Sequence, residues 1–179
     1  MPARSALTRL SSVGALVVVA LAACSQEAAP QAPAPTTSAP TASPTATGAA
    51  DETAVRDVVA KYVDAMVTME NSAQVDPAPM HGIATDTVAN AEAKRVKDLV
   101  DQGIHREGRP TLGEATVTVD GDSARYEVCM DQDDWVGVLG DQKAGSDYGP
   151  LPTGWTLTRT DGDWLVSATI PQEQVRVTC

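Results

Sequence analysis

Between residues 51 and 70 the apolar side chains fall at Val55, Val58, Val59, Tyr62, Val63, Met66 and Met69. That i, i+3, i+4, i+7 rhythm lines one face of an α-helix. Asp51, Glu52 and Asp57 put negative charge at the positive end of its dipole, and Asp51 or Thr53 can cap it. Pro77, Pro79 and Gly82 then predict a loop over 71–84. A thinner stripe of Val88, Ala91, Val96 and Leu99 predicts a second helix over 85–102, with Gly103 as its stop.

After Pro110 the period drops from 3.6 to 2. Ala115, Val117 and Val119 alternate with polar residues up to Asp120-Gly121, and Ala124, Tyr126, Val128 and Met130 alternate again beyond it. A second copy runs through Trp155, Leu157 and Arg159, turns at Asp161-Gly162, and returns through Trp164, Val166, Ala168 and Ile170. Each copy reads as a β-hairpin. Residues 136–154, rich in Gly and charge, read as a long loop with a short extra strand at its start, and 175–179 as a terminal strand. Helices followed by an antiparallel meander make an α+β domain over residues 51–179.

The first fifty residues carry a different pattern. Arg4 and Arg9 precede an uncharged apolar run from Val13 to Ala23. That run is too short for a membrane-spanning helix, which needs about 20 residues, and it fits the apolar core of a secretory signal. Leu21-Ala22-Ala23-Cys24 resembles the bacterial lipobox. The resemblance implies removal of residues 1–23 and acylation of the Cys24 thiol, with two acyl chains holding the protein stably to the outer face of the cell membrane. Residues 24–50 are almost wholly Ala, Pro, Ser and Thr and have no apolar periodicity, so they read as a disordered tether.

The domain order, with the segments "TVTVDGDSARYEVCMDQ" and "GWTLTRTDGDWLVSATI", resembles the ketosteroid-isomerase-like, nuclear-transport-factor-2-like superfamily. It looks particularly like the version carried by small lipoproteins of high-GC Gram-positive bacteria. The resemblance implies a cystatin-like cone in which N-terminal helices pack on a curved antiparallel sheet around an apolar pocket. Members include isomerases, dehydratases and non-catalytic binding modules, so fold leaves function open.

Charge narrows the choices. Among 179 residues, 13 Lys and Arg face 24 Asp and Glu, a net charge of −11, which disfavours nucleic acid as a partner. With no Phe in the chain, Trp135, Trp155 and Trp164 must work with Tyr and Met. Tyr62, Met66, Tyr126, Met130, Trp155 and Trp164 are therefore candidate pocket-lining residues; ordinary core packing explains the same side chains.

Once Cys24 is acylated, Cys129 and Cys179 remain in an exported domain, where a structural disulfide is expected. His81 and His105 lie apart from each other and from any Cys, and read as surface residues. Asp131, Asp133 and Asp134 lack the pattern of a calcium loop, because Trp135 and Val136 stand where a ligand and a Gly would be needed. No metal or cofactor is expected.

For catalysis the pattern offers no acid–base pair. Asp64 and Glu70 fall off the helical stripe, and Glu127 and Asp131 point away from Tyr126, Val128 and Met130. The expected protein is a lipid-anchored, non-catalytic envelope module that binds a protein partner or an apolar small molecule. An isomerase- or hydratase-like enzyme on an apolar substrate is the alternative. A monomer or weak homodimer is expected, since Arg125 and Glu127 put charge on the open sheet face.

Overall fold

The computed structural model describes residues 46–145 and 147–179. The signal sequence, Cys24 and the tether as far as residue 45 lie outside them. The chain forms helix α1 (Ala46–Asn71) and helix α2 (Asp86–Asp101), then strands β1 (Ile104–Gly108), β2 (Thr111–Asp120), β3 (Ser123–Asp131), β4 (Trp135–Leu139), β5 (Gln142–Ala144), β6 (Leu151–Thr160) and β7 (Asp163–Thr169). Helix α1 begins at Ala46, five residues inside the stretch whose composition reads as tether. No described helix is long and apolar enough to cross a membrane.

Two antiparallel sheets result, β2-β3-β6-β7 and β1-β4-β5. The large sheet is the two expected hairpins placed side by side, β3 pairing with β6. Their turns differ. Thr160 pairs with Asp163, and both loop residues, Asp161 at φ 54° and Gly162 at φ 95°, are left-handed, the I′ geometry that suits a two-residue hairpin. In the first hairpin Asp120 pairs with Ser123 and only Gly121 has positive φ, as a II′ turn requires.

Two register shifts, between Leu112 and Ala115 and between Thr156 and Leu157, bend the large sheet. The second also breaks the alternation expected of β7. Trp164 and Val166 are in the core, but Ala168 is exposed. Ile170 lies on the opposite face beside Glu127: a Cβ at Gly154 would stand 3.1 Å from Ile170 Cδ1 and 3.4 Å from Glu127 Cγ.

Helix α1 packs against both sheets; of its stripe, Val55, Val59, Tyr62, Val63, Met66 and Met69 are buried and Val58 is half-buried. In α2 the buried face is Val88, Ala89, Ala93 and Val96; Ala91, expected inward, is exposed. Just before α2, the Thr85 N–H donates to the Val166 carbonyl (2.9 Å) and the Val166 N–H to the Ile83 carbonyl (2.9 Å). This short pairing covers the β7 edge that would otherwise invite strand addition.

The small sheet departs furthest from expectation. Residues 104–108, where only His105 was singled out and read as a surface residue, form β1 and pair in register with β4. Within the expected loop over 136–154, β4 is the short extra strand expected at its start, and β5 is a strand that was not expected. At the far end, Cys129 and Cys179 are joined by a disulfide across 50 residues, with Cα atoms 5.7 Å apart. Residues 175–179 are irregular rather than a strand. Closing a loop of this length stabilises a fold by about 2–4 kcal/mol.

Candidate functional site

The interior between α1 and the large sheet is occupied. Tyr62 meets Trp155 edge-on with ring centroids 5.8 Å apart, and Tyr126 lies 6.0 Å from the same indole. All three are buried. Burial pushes the Tyr126 hydroxyl above its ordinary pKa. Of the six candidate lining residues, Met66, Met130 and Trp155 also face a small cleft of about 260 Å³, whose polar walls are Glu92, Arg95, Arg106 and Gln132. Trp164 borders a different hollow, beside Lys61, with the Arg159 guanidinium 4.5 Å above its ring.

The small cleft sits on a buried ionic network that the sequence reading missed. Glu70, placed off the helical stripe by that reading, is only 1% exposed. It follows Met66 by four residues and Val63 by seven, so the last turn of α1 carries it inward on the same face. Arg95 of α2 donates to Glu70 Oε1 through Nη2, and Arg106 of β1 brings Nε to 3.0 Å from Oε2. That second contact is a charge pairing without hydrogen-bond alignment, leaving Oε2 with no aligned donor.

Arg95 also holds Glu92, at 2.9 Å from Nε and 2.7 Å from Nη2, and the Tyr62 hydroxyl donates to Glu92 Oε1 at 2.8 Å. The four charges therefore alternate: Glu92, Arg95, Glu70, Arg106.

Burial and then the neighbouring Glu92 carboxylate hold the Tyr62 hydroxyl far above its ordinary pKa, so it stays a donor. For Arg95, burial works against the charge, but the hydrogen bond to Glu70 and the charges of Glu92 and Glu70 outweigh it and raise its pKa. Arg106 is lowered, by burial first and by Arg95, with Glu70 offsetting part. It stacks 4.1 Å from the Trp135 ring centroid and donates through Nη1 to Gln132 Oε1 (3.3 Å) and the Trp135 carbonyl (3.2 Å). Trp135 in turn donates from Nε1 to Asn71 Oδ1 at 3.0 Å, and Asn71 donates to the Gly108 carbonyl at 2.7 Å. Helix α1, β1 and β4 are thus fixed around one point.

The Glu70 carboxylate lies between two guanidinium groups, with Arg95 at Oε1 and Arg106 at Oε2. The arrangement can orient and bind.

The other singled-out residues fall elsewhere. Glu127 does point away from Tyr126 and Val128, yet it is 3% exposed, because the C-terminal tail covers it. Asp64 is at the surface, 2.6 Å from Arg109. His81 is exposed, while His105 is a half-buried β1 residue 3.7 Å from Glu107. Asp131 accepts from the Asp133 N–H at 2.9 Å, a local turn. Among the described residues no three His, Cys, Asp or Glu side chains cluster as metal ligands would.

No protein-family description matches the sequence, and no curated protein matches it either. Solved structures do resemble the fold. The intermembrane-space region of the chloroplast protein ARC6 is 14% identical at a TM-score of 0.45, covering 67% of this chain and 95% of its own. An NTF2-like protein with a cystatin-like fold from Novosphingobium aromaticivorans is 16% identical at a TM-score of 0.38, covering 69% and 86%. A protein of unknown function from Mycobacterium tuberculosis is 16% identical at a TM-score of 0.43, covering 70% and 78%. The neighbours thus include NTF2-like and cystatin-like domains. Likeness at this level assigns no activity; the α+β architecture rests on the elements described above.

Proposed function

We propose that the protein is a lipid-anchored, non-catalytic binding module of the cell envelope. Exported on its signal and acylated at Cys24, it carries the α+β domain on the Ala/Pro/Ser/Thr tether. The observation that supports a binding role over a catalytic one is the state of Glu70. It is the buried acid of the core side; Oε1 accepts from Arg95, and Oε2, without an aligned donor, lies 3.0 Å from Arg106 Nε. A base serving an apolar substrate needs a free oxygen facing an open apolar cavity. Here Tyr62, Tyr126 and Trp155 fill that space. The polar mouth between α2, β1 and β4 is then the surface offered to a ligand. An apolar small molecule in the cone is the weaker choice.

The enzyme reading retains one supporting observation, an acid carried inward on α1. The anchor is tested separately, by fractionating cells that express the full chain and its Cys24→Ser variant. Wild type is expected in the membrane fraction, released by detergent, with a diacylglyceryl mass on its N-terminal peptide. Retention of Cys24→Ser on the membrane would overturn the lipid-anchor reading.

A further inference from the structure

A second cleft, of about 380 Å³, shares Arg106, Gln132 and Trp135 with the first and is completed by Asp133, Tyr148 and Leu151 among others. Arg106 commits Nε to Glu70 and Nη1 to Gln132 and the Trp135 carbonyl; Nη2 has no acceptor among the described residues. Gln132 uses its oxygen on Arg106, which leaves its amide nitrogen as a donor. The Asp133 carboxylate has no donor among the described residues, and its Oδ1 is buried without one. Arg106 and Asp133 line one cleft and are not paired with each other.

Arg106 Nη2 and the Asp133 carboxylate, unpartnered among the described residues, are a donor and an acceptor on groups of opposite charge, and they select their ligand. A simple anion would meet Asp133 and a chain of net charge −11, and a simple cation would meet Arg106. A molecule bearing both charges answers both groups. Tyr148, 80% exposed, and the half-exposed Leu151 add apolar cover for a small side chain. Glycines 145 and 149, with nothing within 4 Å of where a Cβ would stand, leave the backbone open to approach. We propose that this cleft binds a zwitterionic amino acid or short peptide, its carboxylate on Arg106 Nη2 and the Gln132 amide and its ammonium on Asp133. The inference rests on the reading of the protein as a binding module.

Isothermal titration calorimetry of the full chain in detergent tests it, with alanine, alanylalanine, N-acetyl-alanylalanine and alanylalanine amide as probes. Alanylalanine is expected to bind saturably, and blocking either end to weaken it about tenfold or more, since each block removes a hydrogen bond to a charged group. Alanine binding as tightly as the dipeptide assigns the site to free amino acids; weaker binding assigns it to peptides. Asp133→Asn is expected to erase the preference for a free ammonium over the N-acetyl form. It leaves the Glu70 network untouched, whereas Arg106→Gln disturbs the fold as well. Absence of heat with any probe, or equal binding of free and blocked dipeptides, would overturn the proposal. Release of free alanine from the dipeptide would instead sink the non-catalytic reading on which it rests.

Discussion

At the scale of the residue, Glu70 ties three elements together, because one carboxylate joins α1 to both α2 and β1. Two charges removed from water repay their desolvation only when every lone pair and proton is well placed, and removing one partner strands the rest. Glu70→Ala would leave Arg95 with Glu92 alone, and Arg106 with Gln132 and a backbone carbonyl. A loss of roughly 3 kcal/mol is expected, toward the low end for a buried pair because both arginines are part-exposed. Urea unfolding would show it as a lower midpoint at unchanged slope. A loss below about 1 kcal/mol would put the network among surface ion pairs that contribute little.

At the scale of elements, the position of Arg106 depends on β1, and β1 depends on Gly108. That residue has φ 85°, and a Cβ there would stand 1.9 Å from the Asp134 carbonyl oxygen. Gly108→Ala therefore meets backbone strain and a backbone clash together, and is expected to lose more than about 1–3 kcal/mol. The loss should be local: amide exchange over 104–108 and 135–139 is expected to accelerate while β2, β3, β6 and β7 keep their protection. Equal acceleration in both sheets would show that the small sheet does not open separately.

The same contrast explains what the sequence made legible. The two hairpins could be read because each Asp-Gly turn and its period-2 flanks agree with the sheet they form. Strand β1 could not. Ile104-His105-Arg106-Glu107-Gly108 has no alternation of its own and becomes a strand through its pairing with β4. The bulge between Thr156 and Leu157 also left no trace in composition, so Ala168 and Ile170 read as inward. Glu70 was readable in principle, as the i+4 partner of Met66, had the stripe been followed past its last apolar residue. Arg95 and Arg106 were not, since a charge on a thin stripe and a charge after a helix stop look like solvated positions.

Across the whole molecule, the tail after β7 turns a charged sheet face into a covered one. It runs from Pro171 to the disulfide at Cys179, Arg125 donates to the Gln174 carbonyl, and the Arg176 N–H donates to Glu127 Oε1 at 2.7 Å. Arg125 also reaches Glu127 at 2.8 Å. Its hydrogen bond lowers the Glu127 pKa below the ordinary 4.5, burial opposes it, and the Arg176 N–H adds to the lowering. The folded state therefore binds this proton less readily than the unfolded chain. The stabilisation is fully present above the unfolded carboxylate value and is lost as pH falls through the lower folded one. Urea unfolding from about pH 7 to pH 3 should show the margin of wild type over Glu127→Gln constant at first and shrinking below about pH 4.5. A margin that stays constant through the acid range would mean that Glu127 titrates alike in both states. The strap would then be held by its disulfide and its contact with Arg125, with no share from the ionised carboxylate.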